Sequence, residues 1–276
     1  MIDKQQERME RYLRLNIFPT TFCPGCGCGS ILNAFIHALD DLDIPPEEVV
    51  TVTGIGCSSW IPSPYFKGDV LHTTHGRSIA FATGVKIVKP DMRVVVFGGD
   101  GDLIGIGGNH LIHAARRNID LTVFLVNNFV YGMTGGQVSP TTPYNIQTTT
   151  TPYGNVENPF SIAEVIASSG ASYVARWTTY HIFQLVRAMK EALQKKGFSF
   201  IEIISQCPMN YGRAVKLRSG PKLLKLFREK SINIKEVENL TEEETRDKFI
   251  VGTLVNRDKE EFTERLRDAI RRAEER

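Results

Sequence analysis

The chain has 276 residues, 42% of them hydrophobic, which can fill a sizeable core in one large domain or two small ones. Its formal net charge of +2 gives no general signal for binding nucleic acid or an acidic partner. No run approaches the ~18 consecutive apolar residues that a transmembrane helix needs, which excludes a membrane span of that type.

The N-terminal residues are polar and charged, which is not the pattern of a secretory signal. We therefore expect a cytoplasmic protein, with a short charged helix over 8–14. In that compartment the five cysteines are expected to be reduced thiols or metal ligands rather than disulfides.

Three cysteines lie close together, just before a helix predicted over 30–40. Cys23 and Cys26 form a C-x-x-C turn next to glycines, and Cys28 follows. Two thiolates on a tight turn suit a soft metal centre. Three interpretations remain open from the residues alone: an iron–sulfur cluster, a structural zinc site, or buried free thiols.

The two other cysteines follow predicted strands. Cys57 comes after a β-branched run at 49–53, and Cys207 comes after an apolar run at 198–204. Both positions lie at strand ends, where the thiols can converge on the C-x-x-C turn.

A short glycine-acid motif and an asparagine pair carry the clearest chemistry. The buried-type strand 94–97 leads into Gly99-Asp100-Gly101, and the next strand, 121–126, leads into Asn127-Asn128. Apolar spacing over 111–115 predicts a helix between them. Strand, helix and strand form a right-handed βαβ unit, so the two strands are parallel neighbours.

Asp100 and Asn128 then lie at the carboxyl ends of parallel strands, where open α/β sheets bind ligands. Carboxylate and amide oxygens suit Mg²⁺, which usually shares its ligands with phosphates. The chain has neither a P-loop motif nor a G-x-G-x-x-G after this strand. The pair of motifs therefore predicts a grip on magnesium and a diphosphate.

The paired motif resembles the signature of thiamine diphosphate enzymes, and the stretch 131–137 resembles a loop that passes the diphosphate in one branch of them. The resemblance implies that Asp100, Asn128 and the carbonyl of Val130 ligate Mg²⁺. The implied cofactor-binding residues are Gly99, Asp100, Gly101, Asn109, Asn128, Val130, Gly132, Met133, Thr134, Cys57 and Ser58.

Together with the cysteines, residues 15–213 resemble the β subunits of 2-oxoacid:ferredoxin oxidoreductases, most of all the archaeal 2-oxoglutarate type. Five stretches carry this resemblance: 54–60, 72–77, 107–110, 132–137 and 139–143. It implies that a four-iron, four-sulfur cluster is held by Cys23, Cys26, Cys57 and Cys207. Cys28 has no place in that pattern.

The loop before a helix predicted over 79–86 borders the implied reaction centre. Arg77 is a candidate to hold a substrate carboxylate by a two-pronged hydrogen bond. His75 is a candidate to stabilise charge on the substrate oxygen. Trp60 departs from the pattern, because some relatives carry a basic residue there, and this leaves the choice of 2-oxoacid open.

The implied fold is α/β, a doubly wound, mostly parallel sheet of the thiamine diphosphate-binding type. We expect residues 1–213 to form this domain and residues 214–276 to form a charged, helical extension that docks a subunit or is a solvated tail. The stretch 141–154 has no periodicity and is expected to be a long functional loop.

The resemblance implies thiamine-dependent oxidative decarboxylation of a 2-oxoacid, with 2-oxoglutarate favoured over pyruvate or branched-chain acids. Coenzyme A takes the acyl group and ferredoxin takes the electrons. The glutamate that activates thiamine has no counterpart here, which implies an α subunit, with γ and δ subunits possible. The alternatives are a thiamine-dependent decarboxylase or synthase without a cluster, and a zinc-bound, non-catalytic subunit.

Overall fold

The computed structural model describes residues 2–276 and contains one eight-stranded sheet and one two-stranded sheet. The strands are β1 (Val49–Thr53), β2 (Asp69–His72), β3 (Arg93–Gly99), β4 (Thr122–Asn127), β5 (Val130–Tyr131), β6 (Gln137–Val138), β7 (Tyr173–Thr178), β8 (Ser199–Ile204), β9 (Ser231–Asn233) and β10 (Phe249–Asn256).

Eleven α-helices connect and cover these strands within the described residues. They are α1 (Ile2–Tyr12), α2 (Gly27–Asp41), α3 (Ser78–Val88), α4 (Gly108–Arg117), α5 (Ile162–Ser169), α6 (Ile182–Gln194), α7 (Tyr211–Ala214), α8 (Gly220–Lys230), α9 (Ile234–Val237), α10 (Glu242–Thr245) and α11 (Phe262–Glu274).

The large sheet has the strand order β2-β1-β3-β4-β8-β7-β10-β9. The first six strands in this order, β2, β1, β3, β4, β8 and β7, are mutually parallel, and β10 pairs antiparallel with β7. The helices that connect parallel strands cover both faces of the sheet, which explains why these strands are continuous apolar runs. The predicted doubly wound, mostly parallel α/β fold is confirmed.

Alternate side chains of each central strand feed separate apolar cores on the two faces of the sheet. Val95 and Phe97 of β3 pack with helices α2 and α6 on one face. Val94 and Val96 pack with helices α3, α4 and α5 on the other face. The Phe97 ring lies 5.1 Å from the ring of Phe35 on α2, so aromatic packing ties the strand to that helix.

Several predicted elements are confirmed with small changes of boundary. Strand β1 has its predicted bounds, while β3 and α2 extend beyond theirs on both sides. One local feature was not predicted: residues Gly101–Ile106 form a π-helix, so α4 begins only at Gly108. Such π-helical turns are rare and occur often at functional sites.

The C-terminal extension is not purely helical, and the prediction was incomplete here. It contains the helices α8 and α11, but β9 and β10 lie between them, and β10 joins the main sheet beside β7. The division of the chain at residue 213 stays a prediction. Within residues 2–276, no helix combines the length and apolarity needed to cross a bilayer.

Candidate cofactor and cysteine site

A cleft of about 80 Å³ opens at the carboxyl ends of β1, β3 and β4. Loops that directly follow these strands supply its walls, which is the expected position for a ligand in a sheet of this kind. The lining residues are Ile55, Gly56, Cys57, Ser58, His75, Gly99, Asp100, Gly101, Asp102, Asn128, Val130, Tyr131, Gly132, Met133 and Thr134.

Asp100 is a buried carboxylate placed directly after β3. Ser139 Oγ donates to its Oδ2 at 2.5 Å, and Thr141 Oγ1 donates to the same oxygen at 2.7 Å. Burial raises the pKa of Asp100 to about 6, although the two hydroxyls oppose the shift. A nearby cation would relieve the cost of burying this charge.

The Asn127-Asn128 motif ends β4 in a turn that is held from several sides. Phe129 adopts a left-handed backbone with φ of 66°, which is uncommon for a residue with a side chain. Asn127 Oδ1 accepts from the Phe129 amide at 3.1 Å, and Thr142 Oγ1 donates to the Phe129 carbonyl at 2.6 Å. This turn places Asn128 and Val130 in the wall of the cleft.

The donors at this end of the cleft fit a magnesium ion that is shared with a diphosphate. Asp100, Asn128 and the Val130 carbonyl offer hard oxygen atoms, the type that Mg²⁺ prefers. In residues 2–276, no three His, Cys, Asp or Glu side chains form a site for a single metal ion. A cation here therefore depends on the amide and carbonyl oxygens and on oxygens of the ligand.

Gly101 lies in the lining of the cleft and packs against an aromatic ring. A β-carbon on Gly101 would lie 2.2 Å from the ring of Tyr131, and the Tyr131 hydroxyl donates to the Gly101 carbonyl at 3.2 Å. The glycine therefore makes room for an aromatic ring that closes the cleft.

Asp102 and His75 form a pair that the sequence analysis missed. Asp102 is buried, and its Oδ1 lies 2.5 Å from Nδ1 of His75 and accepts from the Gly76 amide at 2.7 Å. A carboxylate at Nδ1 fixes the proton on that nitrogen, which leaves Nε2 as the ring nitrogen that can act on a ligand. The only sequence signal was a second acidic residue immediately after Gly101.

Two residues that were predicted to bind substrate or thiamine diphosphate lie outside the lining of the cleft. Arg77 is exposed and donates to the carbonyls of Gly76 and Ile106 at 3.3 and 3.2 Å. Asn109 is an exposed residue in the first turn of α4. The roles predicted for both residues stay predictions.

The thiols of Cys57 and Cys207 border the same cleft. A β-carbon on Gly132 would lie 3.7 Å from Cys57 Sγ, 4.0 Å from Cys207 Sγ and 3.5 Å from Asn128 Nδ2. Gly132 therefore lies between these two thiols and Asn128, which is predicted to bind at the diphosphate site. A larger side chain at this position would fill the space that they share.

The C-x-x-C turn comes to the same region. The Cys26 amide donates to the Cys23 carbonyl at 3.0 Å, and the Gly27 amide donates to the carbonyl of Gln206 at 3.0 Å. The second bond connects the turn to the residue before Cys207. Cys23 itself is exposed.

Electrostatic effects among the thiols show their proximity. Burial, together with the neighbouring thiols Cys26, Cys207 and Cys23, raises the pKa of Cys57 to about 11. Cys26 differs, because hydrogen bonding with Cys28 lowers its pKa to about 7 against the effect of burial. The thiols of Cys23, Cys26 and Cys207 are therefore close enough to Cys57 to act on its charge, and Cys28 on α2 is the hydrogen-bond partner of Cys26.

Two glutamates late in the chain, Glu164 and Glu202, are both paired with the same arginine. Arg176 lies between them, at 2.6 Å from Glu164 Oε2 and 2.7 Å from Glu202 Oε2. Glu202 also accepts from Asn127 Nδ2 at 2.7 Å. In the described part of the chain, the cleft is lined by two aspartates and by no glutamate.

Residues 54–203 match the family described as "Thiamine pyrophosphate enzyme, C-terminal TPP binding domain". This range contains the whole lining of the cleft, so the fold and the site define a thiamine diphosphate-binding domain.

Comparisons over the full length define the family more closely. The chain is 53% identical to a curated protein of Methanocaldococcus jannaschii named "2-oxoglutarate synthase subunit KorB", over 94% of this chain and 96% of that protein. It is 49% identical to the protein of the same name from Methanothermobacter thermautotrophicus, over 96% and 92% of the two chains.

More distant relatives agree. A "2-oxoacid:ferredoxin oxidoreductase subunit beta" of Saccharolobus solfataricus is 42% identical over 68% of this chain and 62% of that protein. The chain therefore belongs to the family of 2-oxoacid:ferredoxin oxidoreductase β subunits, and the resemblance found in the sequence is confirmed.

A solved structure agrees with this membership. It is described as 2-oxoglutarate:ferredoxin oxidoreductase from Magnetococcus marinus with 2-oxoglutarate, coenzyme A and succinyl-CoA bound. The TM-score is 0.85 and the identity 33%, over 96% of this chain and 90% of the other.

Proposed function

We propose that this chain is the cofactor-binding β subunit of an enzyme that oxidatively decarboxylates 2-oxoglutarate. One 2-oxoacid, one coenzyme A and two oxidised ferredoxins would give one acyl-CoA, one carbon dioxide, one proton and two reduced ferredoxins. The observation that carries the proposal is the position of Gly132, which brings Asn128 together with Cys57 and Cys207. The residue that would bind the diphosphate and the thiols that would hold the electron acceptor then lie on the same wall of the cleft.

Thiamine diphosphate, when bound, would supply the sink for the electron pair that stays on the substrate carbon when carbon dioxide leaves. The role of the chain is to hold its diphosphate. Asp100, Asn128 and the Val130 carbonyl would ligate Mg²⁺, and the 131–137 loop would run beside the phosphates. The hydroxyls of Ser139 and Thr141 hold the Asp100 carboxylate in place for this contact.

His75 would bind the substrate oxygen, and Asp102 would act as its positioning residue. The carboxylate at Nδ1 keeps Nε2 of His75 free and in a fixed direction. Arg77 is proposed to bind a substrate carboxylate. Its present bonds to two backbone carbonyls would have to be exchanged for that contact.

Cys23, Cys26, Cys57 and Cys207 would hold a four-iron, four-sulfur cluster. Four thiols suit either zinc or such a cluster. The chain belongs to the family of 2-oxoacid:ferredoxin oxidoreductase β subunits. A cluster carries single electrons whereas Zn²⁺ has no redox chemistry, so this membership favours a cluster.

A second subunit is needed to complete the site. The cleft measures about 80 Å³, whereas pockets for ligands of cofactor size measure roughly 300–1,000 Å³. Glu164 and Glu202 are both occupied by Arg176, so we infer that an α subunit brings the activating glutamate and the rest of the pocket. A cytoplasmic location would keep the four thiols reduced for cluster binding.

The assembled complex, purified without oxygen, provides the test. We expect about four irons for each β chain, as one such cluster requires, and turnover of 2-oxoglutarate ahead of pyruvate and branched-chain acids. Zinc or metal-free protein that still decarboxylates would support a thiamine-dependent decarboxylase instead. Decarboxylation by the β chain alone would contradict the inferred α subunit.

A further inference from the structure

Positive charge is concentrated in residues 213–230, which we call the basic segment. It contains seven lysines and arginines and one acidic residue, Glu229. Because the whole chain carries a formal charge of +2, the remaining residues carry a net charge of −4. The small overall charge therefore conceals a strongly basic region, which a net-charge argument cannot detect.

The basic segment lies against the cysteines. The Gly212 amide donates to the Cys207 carbonyl at 2.8 Å, so the residue before the segment is bonded to the backbone of Cys207. Helix α8 then meets the C-x-x-C turn, since a β-carbon on Gly220 would lie 2.7 Å from the Gly25 carbonyl. Two glycine backbones therefore touch where α8 meets the turn that carries exposed Cys23.

The position of α8 is fixed by its apolar side. Leu223 and Phe227 are buried in a small core with Phe129 and Val130, the residues that follow the Asn127-Asn128 motif. The helix therefore cannot move far without disturbing the turn at the end of β4. The charges on its outer side occupy defined positions beside the cleft.

These charges face solvent and have little compensation. Six of the seven cations are exposed: Arg213, Lys216, Arg218, Lys222, Lys225 and Arg228. In the described residues, the only carboxylate within 4.0 Å of any of them is Glu229, at 3.8 Å from Lys225. Such a surface attracts an acidic partner and accelerates its approach.

Apolar side chains accompany the charges. Met209, two residues after Cys207, is 57% exposed. Tyr180 is 41% exposed and lies under Arg228, whose guanidinium carbon is 5.9 Å from the ring centre. A charged surface with a few exposed apolar groups suits the small, transient interfaces of electron-transfer partners.

We propose that the basic segment is the docking surface for an acidic one-electron carrier protein, guided to the edge of the cluster at Cys23. The inference rests on the proposed function, because it requires a cluster held by Cys23, Cys26, Cys57 and Cys207. Each docked carrier would accept one electron, which the cluster loses, and leave reduced.

The test reverses three of the uncompensated charges in the assembled complex: Lys216→Glu, Arg218→Glu and Lys222→Glu. Lys222 lies in the first turn of α8, where a glutamate is favourable for the helix. The matched control reverses three exposed arginines of α11: Arg265→Glu, Arg267→Glu and Arg272→Glu. Arg267 lies near Thr122 at the start of β4, whereas the cleft lies at the carboxyl ends of the strands.

Binding of a purified acidic ferredoxin with a single cluster is measured at low and high salt. We expect wild type to bind more weakly as salt rises and the reversed variant to lose about tenfold or more in affinity at low salt. The control should bind as wild type does. A neutral variant with glutamine at the same three positions should show an intermediate loss, which excludes misfolding as the cause.

Equal affinity of wild type and reversed variant would overturn the proposal, as would loss of affinity in the control alone. Binding of an RNA oligonucleotide by the basic segment, without an effect on ferredoxin, would also overturn it. A failure of the proposed function is seen separately, as a complex without iron or one that does not reduce methyl viologen with 2-oxoglutarate.

Discussion

At Phe129 the backbone takes a left-handed conformation, which costs about 1–3 kcal/mol for such a residue. Bonds from both sides offset this cost. Asn127 and Thr142 hold the amide and the carbonyl of Phe129, and Thr141 connects Asn127 to Asp100. Individual polar groups thus set the positions of Asn128 and Asp100 in the wall of the cleft.

Thr141→Val tests this connection. The Thr141 hydroxyl lies 2.7 Å from Asp100 Oδ2 and 2.9 Å from Asn127 Oδ1, and valine keeps the shape without the hydroxyl. We expect the affinity for thiamine diphosphate with Mg²⁺ to fall by about tenfold, as for other groups that orient a metal ligand. Calorimetric titration of the complex measures it, with exposed Thr149→Val from the same loop as control.

Asp102→Asn tests the positioning of His75. An amide in place of the carboxylate no longer fixes the proton on Nδ1, so we expect kcat to fall about 10- to 100-fold with little change in KM. The ¹⁵N chemical shifts of the His75 ring should report a changed tautomer, which a purely structural effect would not produce. Exposed Asp91→Asn is the control, and an unchanged tautomer would contradict the role of Asp102.

Helices and strands position these residues, and β10 does so from outside the predicted domain. Arg176 of β7 donates to the Ile250 carbonyl of β10 at 3.2 Å and binds Glu164 of α5 and Glu202 of β8. Glu202 in turn accepts from Asn127. The last strand of the chain therefore supports the turn at the end of β4 through one buried arginine.

The Glu164–Arg176 pair predicts a dependence of stability on pH. Burial disfavours ionised Glu164, but the hydrogen bonds and charge of Arg176 outweigh burial and lower its pKa. The contribution of the ion pair to stability is therefore present above ~4.3, the pKa of glutamate in the unfolded chain. It is lost as the pH falls through the lower pKa of Glu164 in the folded chain. The side chain is 48% exposed, so solvent screens the pair.

We expect Glu164→Gln to lower the free energy of unfolding by about 1 kcal/mol at pH 7 and by much less at pH 3. Urea unfolding of the chain at both pH values measures the difference. The exposed Glu157→Gln should behave as wild type does. A loss of stability that is the same at both pH values would show that the charge of Glu164 is not its cause.

Across the whole molecule, the sequence predicted those features that residues close together in the chain determine. The continuous β-branched run 49–53 specified β1, and the spacing of Gly-Asp-Gly and Asn-Asn specified the edge at which Asp100 and Asn128 meet. The pairing of His75 with Asp102 was not readable, since it joins residues 27 positions apart through the fold.

Strand β10 was missed because Gly252 interrupts its apolar run and charged residues surround it. The cluster of positive charge escaped notice because the rest of the chain cancels most of it in the total. The place of β10 beside β7 and the place of the positive charges beside the cysteine turn both depend on which segments pack together.

The central claim is that the diphosphate site passes electrons to the cysteine cluster across Gly132. Its most direct test is electron paramagnetic resonance of the anaerobic complex, frozen after mixing with 2-oxoglutarate in the absence of ferredoxin. We predict a signal of the reduced four-iron cluster that requires thiamine diphosphate and disappears in Cys57→Ser. Release of carbon dioxide while the cluster stays oxidised, or a complex without iron, would contradict the account.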